Sequence, residues 1–207
     1  ESIKTNMILD TWPVILQKLR DKKIDAVTGI LRTPERKEWF QFTIPYLTDY
    51  YTIFASNTSG ITSVNDLRGK TVAILAQDSI IEFFLEPNKL QEHQIKTKTF
   101  SEAFQLVSEG EADYTIAPYS LGIERIRSLG ISGVRARGRA LKDIKYRIAV
   151  SKDNDALLTM LNDVIAEKLQ DGTIKRLRQK WSVQGPFKNS AISPPSFLYL
   201  VIITVAI

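Results

Sequence analysis

The stretch from Ile24 to Tyr46 constrains the fold of this chain more than any other part of the sequence. It begins with the apolar run IDAV, which is typical of a buried strand, and that run leads to Gly29, where another group can approach the backbone closely. Thr33 is a good N-cap, and Pro34 favours the first position of a helix. A strand that leads to backbone N–H groups, a helix N-terminus and an arginine, Arg36, predicts a site for a carboxylate or similar anion.

The spacing alone leaves a structural alternative open, in which Arg36 is a solvated charge on a surface helix. The motif G-x-x-x-T-P-E-R at residues 29–36, followed by F-T-x-P-Y at residues 42–46, resembles the signature of the type II periplasmic solute-binding proteins, family 3. This is the amino-acid-binding "Venus flytrap" group, which also supplies the sensor modules of some bacterial membrane receptors. In that family the arginine of the motif binds the carboxylate of the ligand. The resemblance continues to about Trp181.

The resemblance implies an α/β, bilobal fold of the periplasmic-binding-protein type (type II), with two βαβ lobes joined by two crossover strands. The sequence agrees, because candidate strands alternate with amphipathic helices as in parallel βαβ units. We expect lobe 1 to comprise residues 1–48 and 146–182, and lobe 2 to comprise residues 49–145. The family normally has an opening strand and a first helix before this segment, so we expect lobe 1 to lack both.

The resemblance also implies which other residues contact a ligand. Besides Arg36, the candidates are Trp12, Thr28, Gly29 and Leu31 in lobe 1, and Asp78, Ser79 and Pro118 in lobe 2. Asp78 or Ser79 would cap the apolar helix that follows, and a cap alone explains both residues. The functional alternative is that this turn forms the lobe-2 wall of the site.

Two positions depart from the pattern of the amino-acid binders. Those proteins typically carry an aspartate that receives the ligand's ammonium group where this sequence has Pro118, and proline has neither a charge nor an N–H. Leu31 stands where they often carry a serine or threonine. We therefore expect the ligand to be a carboxylate, another anion or a non-zwitterion rather than an ordinary α-amino acid. An empty, ligand-independent site is the remaining alternative.

Composition bears on other classes of function. The chain has no cysteine, which excludes a thiol nucleophile and a thiolate metal site. His93 is its one histidine and lies in a polar stretch, and no acid–base constellation stands out. The basic cluster at residues 135–142 lacks the interleaved aromatic side chains that stack on nucleotide bases. We expect no cofactor, metal or nucleic acid and no enzymatic activity; a dehydratase or lytic-enzyme module on the same fold is the third alternative.

The C-terminal residues bear on the biological setting. After a linker at residues 183–195, we interpret residues 196–207 as the start of a transmembrane helix, because FLYLVIITVAI is apolar and uncharged. A spanning helix needs about 20 such residues, and a hydrophobic C-terminal strand is the alternative.

This interpretation favours the sensor domain of a receptor anchored at the periplasmic side of the bacterial inner membrane. Its lobes would close on a small, anionic solute, as family members do by hinge motion, and signal to a cytoplasmic output domain. The alternative is the solute-binding component of an ABC-type amino-acid uptake transporter, which would have a permease as its partner.

Overall fold

A computed structural model describes residues 5–181 and 202–205 of the chain. The chain forms two compact units. Unit 1 combines both ends of the chain, Glu1–Thr48 and Lys145–Ile207, and unit 2 is the continuous segment Asp49–Ile144. In chain order the helices and strands are β1 (Thr5–Ile8), α1 (Trp12–Arg20), β2 (Ala26–Ile30), α2 (Pro34–Lys37), β3 (Phe40–Phe42), β4 (Leu47–Ser56), β5 (Val72–Leu75), β6 (Gln94–Thr97), α3 (Phe100–Glu109), β7 (Tyr114–Pro118), α4 (Tyr119–Ser128), β8 (Val134–Ser151), α5 (Asp155–Gln170), α6 (Thr173–Trp181) and β9 (Ile202–Val205).

Unit 1 contains a sheet in the order β1-β9-β2-β8, with β3 paired to β8. Successive residues of a strand face opposite sides of the sheet, so β2 and β8 can each serve two apolar layers. On one side α1 packs Ile15 and Leu19 against Val27 of β2. On the other, the α5 residues Leu157 and Ile165 pack in a cluster that includes Ala26 of β2 and two residues of β8. The loop between β2 and α2 therefore emerges from a strand that is packed on both faces.

Unit 2 contains a sheet in the order β4-β7-β5-β6, in which β5 is parallel to β6 and β7 while β4 is antiparallel to β7. Phe54 of β4 and Phe104 of α3 meet edge to face, with ring centroids 5.1 Å apart. Gly122 of α4 lies directly over Phe54, since a Cβ at that position would fall 2.2 Å from the ring. The two long strands β4 and β8 carry the chain between the units.

The C-terminal segment is described only in part. Of residues 196–207, where the sequence predicted the start of a transmembrane helix, the structure describes Ile202–Val205, and these four form strand β9 rather than a helix. Isoleucine, threonine and valine are β-branched and favour strands, and both β1 and β2 pair with this segment antiparallel. The rest of that segment and the predicted linker at residues 183–195 lie outside the described residues. Within the part that is described, no helix is both long enough and apolar enough to cross a bilayer.

Candidate functional site

The loop that follows β2 in unit 1 is held by a tyrosine from a later segment of the chain. Gly29 has φ +73°, a left-handed conformation that glycine adopts at little cost. Its N–H donates to the hydroxyl oxygen of Tyr46 at 2.9 Å, and the hydroxyl of Thr28 lies 2.7 Å from the same oxygen. The sequence predicted backbone N–H groups open to a ligand here. The structure instead pairs the N–H of Gly29 with a side chain of the protein.

Arg36 is a buried cation, 8% exposed, on the one-turn helix α2. Its backbone N–H donates to Oγ1 of Thr33 at 3.2 Å, which confirms the predicted cap. Its Nη1 donates to the carbonyl oxygen of Leu31 at 3.1 Å, and its guanidinium carbon lies 5.1 Å from the centre of the Trp12 ring. A cation over an indole face at this distance is attracted to the ring. The loop thus brings together three of the predicted residues, and their contacts orient the guanidinium.

Two further arginines bear on this loop: Arg32 lies within it, and Arg147 lies on β8. Arg147 of β8 donates from Nη1 to the carbonyl oxygen of Thr43 at 2.6 Å. Burial lowers the pKa of Arg147, and the nearby positive charge of Arg32 lowers it further. The pKa of Tyr46 is raised by burial, against the smaller opposing effect of its hydrogen bonds with Thr28 and Gly29. The surroundings of the loop are therefore rich in positive charge, which favours an anionic occupant.

In unit 2 the turn that follows β5 is arranged around Asp78. This carboxylate is 7% exposed, and its Oδ1 accepts a hydrogen bond from the N–H of Ile80 at 3.0 Å and another, very short, from the hydroxyl of Tyr51. The hydroxyl of Ser79, which is 4% exposed, lies 3.3 Å from the Tyr51 oxygen. Asp78 therefore holds the turn that leads into the π-helical segment beginning at Ile81, whose own N-cap, Ile80, makes no side-chain cap hydrogen bond.

Pro118 ends β7, is buried, and lies opposite Tyr51 in the register of β4 and β7. As the residue before α4 it offers no side-chain cap. The carboxylate that accepts a hydrogen bond from the N–H of Ser120, at 3.1 Å, belongs to Asp49 of β4. The acid at the start of this helix thus comes from a different strand than position 118.

Tyr46, Tyr51 and Asp49 organise these turns but were not predicted from the sequence to do so. Tyr46 ends the motif F-T-x-P-Y, and its place in that motif was a usable signal. Tyr51 and Asp49 carry no comparable local signal, because their partners lie 27 and 71 residues away in the chain. Within residues 5–181 and 202–205 no group of three or more His, Cys, Asp or Glu side chains could hold a metal ion.

Comparison with known proteins identifies the family. The model of the bacterial extracellular solute-binding proteins, family 3, matches residues 2–184. The chain belongs to this family. The arginine-binding extracellular protein ArtP of Bacillus subtilis (strain 168) is 30% identical over 175 residues, which cover 81% of this chain and 66% of that protein. The chain thus spans about two thirds of the length of the curated relatives that it matches, and these relatives are binding proteins.

Solved structures of the same fold include two of particular interest. A histidine kinase sensor domain with similarity to periplasmic binding proteins is 26% identical, with 83% of this chain and 75% of that chain covered and a TM-score of 0.77. An ancestral arginine-binding protein bound to glutamine is 29% identical, with coverages of 83% and 76% and a TM-score of 0.76. The predicted family and the bilobal periplasmic-binding-protein fold are confirmed.

Proposed function

We propose that this extracytoplasmic solute-binding domain binds a small molecule with an anionic group, and that Arg36 binds that group. The observation that carries the proposal is the position of Arg36. It is buried, it lies on α2 directly after the loop that follows β2, and the Leu31 carbonyl and the Trp12 ring orient it. A guanidinium presents several donors in one plane, which suits a carboxylate. Thr28 and Gly29 support the loop through Tyr46.

Unit 2 enters the proposal through its own candidate contacts. Ser79 lies in the buried turn after β5 that Asp78 holds, where an incoming solute would meet its hydroxyl group. Pro118 brings no charge, which supports a ligand without an α-ammonium group. Closure of the two units on the solute is part of the proposal and rests on membership of the family.

We favour a role as the sensor domain of a membrane-anchored receptor on the periplasmic side of the inner membrane. The likeness to a histidine kinase sensor domain supports this setting. The receptor would pass the signal to a cytoplasmic output domain. The second candidate, a component of an ABC-type uptake transporter with a permease partner, is favoured by relatives named as transporter binding proteins. The gene sequence beyond Ile207 would separate the two.

Titration calorimetry on the purified protein tests the role of Arg36. Glutarate serves as the anionic probe, and L-arginine and L-glutamine serve as zwitterionic probes. We expect Arg36→Ala to weaken glutarate binding more than tenfold, because a hydrogen bond to a charged group contributes about 1.5–3 kcal/mol. The matched control is Arg32→Ala, which removes an exposed cation four residues earlier and should change the affinity by less than about threefold.

Three outcomes would count against parts of the proposal. Equal losses in the two variants would show that only general positive charge matters, and unchanged affinity in Arg36→Ala would remove this residue from the site. Strong binding of L-arginine or L-glutamine to the unmutated protein would show that another residue supplies the counter-charge that Pro118 lacks.

A further inference from the structure

Helix α6 is basic to a degree that solute binding does not explain. Its sequence, TIKRLRQKW, contains four cations and no acidic residue. Arg176 makes hydrogen bonds within unit 1. It donates to the carbonyl oxygen of Asp171 at 2.9 Å and to Oγ1 of Thr173 at 2.8 Å. Lys175 and Arg178 are exposed and, being three residues apart, are neighbours on the helix surface.

An apolar groove runs beside this helix. Val164 of α5 is 46% exposed and Leu177 of α6 is 50% exposed, and both line a cavity of about 220 Å³. The remaining lining combines the buried Ile148 and Ile165 and the half-buried Ile174 with Thr28, Tyr46, Lys168 and Thr173. Large aliphatic side chains exposed next to one another commonly mark a surface that contacts something other than water.

The charges around the groove favour an anionic partner. Two of the acids nearest to it are exposed but paired with a cation of the same unit, because Lys168 donates to Glu167 at 2.5 Å and to Asp171 at 3.4 Å. Of the nearby acids, Asp163 remains on the exposed surface of α5. At the level of the whole chain, unit 1 has 17 Lys and Arg against 11 Asp and Glu, or +6, whereas unit 2 has 11 against 12, or −1. Unit 1 therefore carries the entire positive excess of the protein.

We propose that the face formed by α6 and the apolar groove docks unit 1 onto a lipid bilayer that contains anionic lipid. A helix with cations beside an apolar face lies favourably in the boundary between headgroups and acyl chains. The aliphatic residues of the groove would meet the acyl region, while Lys175 and Arg178 would meet the headgroups. The contact belongs to the folded unit and is separate from any anchor formed by the C-terminal residues.

Vesicle sedimentation with the full chain tests the proposal. The probes are vesicles of phosphatidylglycerol mixed with phosphatidylcholine, and pure phosphatidylcholine vesicles as reference. Each cation near an anionic surface contributes about fivefold in affinity, so the double variant Lys175→Gln/Arg178→Gln should partition roughly twentyfold more weakly into the anionic vesicles. Leu177→Ser should weaken binding by about tenfold through the lost apolar contact.

The second basic cluster of the chain provides a matched control. Arg135→Gln/Arg139→Gln removes the same number of exposed charges from β8 of unit 2 and should change vesicle binding by less than about twofold. Arg36→Ala should leave vesicle binding unchanged, so a failed solute site and a failed membrane surface give different results.

Equal losses in the two double variants would overturn the proposal, because they would show attraction by net charge alone. Vesicle binding that the α6 variants do not affect would also overturn it, since the C-terminal apolar residues would then account for the whole affinity. Absence of binding to anionic vesicles would show that the groove is covered by something else, either residues 182–201 of the same chain or a second copy.

Discussion

The loops that follow β2 in unit 1 and β5 in unit 2 are each held by a tyrosine, but in different ways. In unit 1 the hydroxyl of Tyr46 accepts from the backbone N–H of Gly29. In unit 2 the hydroxyl of Tyr51 donates to a charged side chain, Asp78. The first arrangement shapes the backbone and leaves the orientation of Arg36 to other groups. The second uses the charged residue itself as the centre of the turn.

This difference separates a residue whose role is to bind from one whose role is to hold the fold. If the carboxylate of Asp78 holds its turn together, removing that carboxylate should mainly lower the stability of unit 2. If other groups hold the loop and helix α2 in place, removing Arg36 should mainly lower the affinity for the anionic ligand.

Asp78→Ala should destabilise unit 2 by about 2–4 kcal/mol, because the buried N–H of Ile80 and the hydroxyl of Tyr51 would both lose their acceptor. Hydrogen exchange would show the loss as faster exchange in β5 and β7, with β2 less affected. Asp78→Asn keeps an oxygen acceptor and should therefore lose less stability than Asp78→Ala. The cap variant Thr33→Ala, in unit 1, should cost only about 1 kcal/mol. A larger loss of stability in Thr33→Ala than in Asp78→Ala would contradict this assignment of roles.

Removing the two tyrosine hydroxyls should have unequal effects. Tyr51→Phe should cost about 1.5–3 kcal/mol, because a donor to a carboxylate is lost, whereas Tyr46→Phe should cost about 1 kcal/mol, because its partners are neutral. Tyr46→Phe should also weaken glutarate binding, since it frees the loop that carries Arg36. Urea unfolding and calorimetry on the two variants provide the measurements. Equal losses of stability would mean that the charge of Asp78 adds nothing to its hydrogen bond with Tyr51.

Much of the fold was predictable from the sequence because its signals are local. The cap at Thr33 and the buried strand that leads to Gly29 each follow from residues that are adjacent in the chain. The family motif added the predicted anion contact at Arg36. Strand β1 was not assigned, since its four residues, TNMI, carry no clear alternation of polar and apolar side chains.

The parts of the site that escaped prediction depend on distant contacts. Asp49 accepts from Ser120, 71 residues later in the chain, and no local pattern indicates that pairing. The apolar run that contains Ile202–Val205 is compatible with a helix and with the strand that these residues form. The run alone does not distinguish the two, because a buried helix and a buried strand can have the same apolar composition. Pairing with β1 and β2 is a tertiary contact that the sequence does not display.

The two loops also differ in the type of residue that adopts a left-handed backbone conformation. Gly29 has φ +73° in unit 1, whereas Gln77 has φ +60° in unit 2. Gly29→Ala should cost about 1 kcal/mol, since a Cβ disfavours this conformation. Gln77→Gly should be close to neutral, because relief of that strain offsets the greater entropy of the unfolded chain. Urea unfolding would measure both. A marked loss in Gln77→Gly would show that the contacts of this side chain outweigh its backbone strain.

The smallest effect concerns a second pair of tyrosines, Tyr114 in unit 2 and Tyr46 in unit 1. Tyr114 is fully buried, and its hydroxyl has no hydrogen-bond partner among the residues that the structure describes. Tyr114→Phe should therefore be neutral or stabilise unit 2 by up to about 1 kcal/mol at pH 7, because an unsatisfied polar atom is removed. The same change at Tyr46 has the opposite expected sign, since Tyr46 is hydrogen-bonded to Gly29.

The pH dependence of stability distinguishes these tyrosines further. Burial, and to a lesser degree the neighbouring Asp113, raises the pKa of Tyr114 well above its ordinary value of about 10. The unfolded chain therefore releases this proton at a lower pH than the folded chain does, so the ionisation of Tyr114 leaves the stability of unit 2 unchanged below about pH 10 and lowers it as the pH rises beyond that value. Tyr114→Phe should therefore reduce the loss of stability that unit 2 shows above about pH 10. Hydrogen exchange cannot be read easily at such pH, so urea unfolding monitored by circular dichroism between pH 8 and 11 is the better measurement. An unchanged alkaline slope in Tyr114→Phe would assign the loss to other groups and leave Tyr46, whose pKa burial also raises, as the next residue to replace.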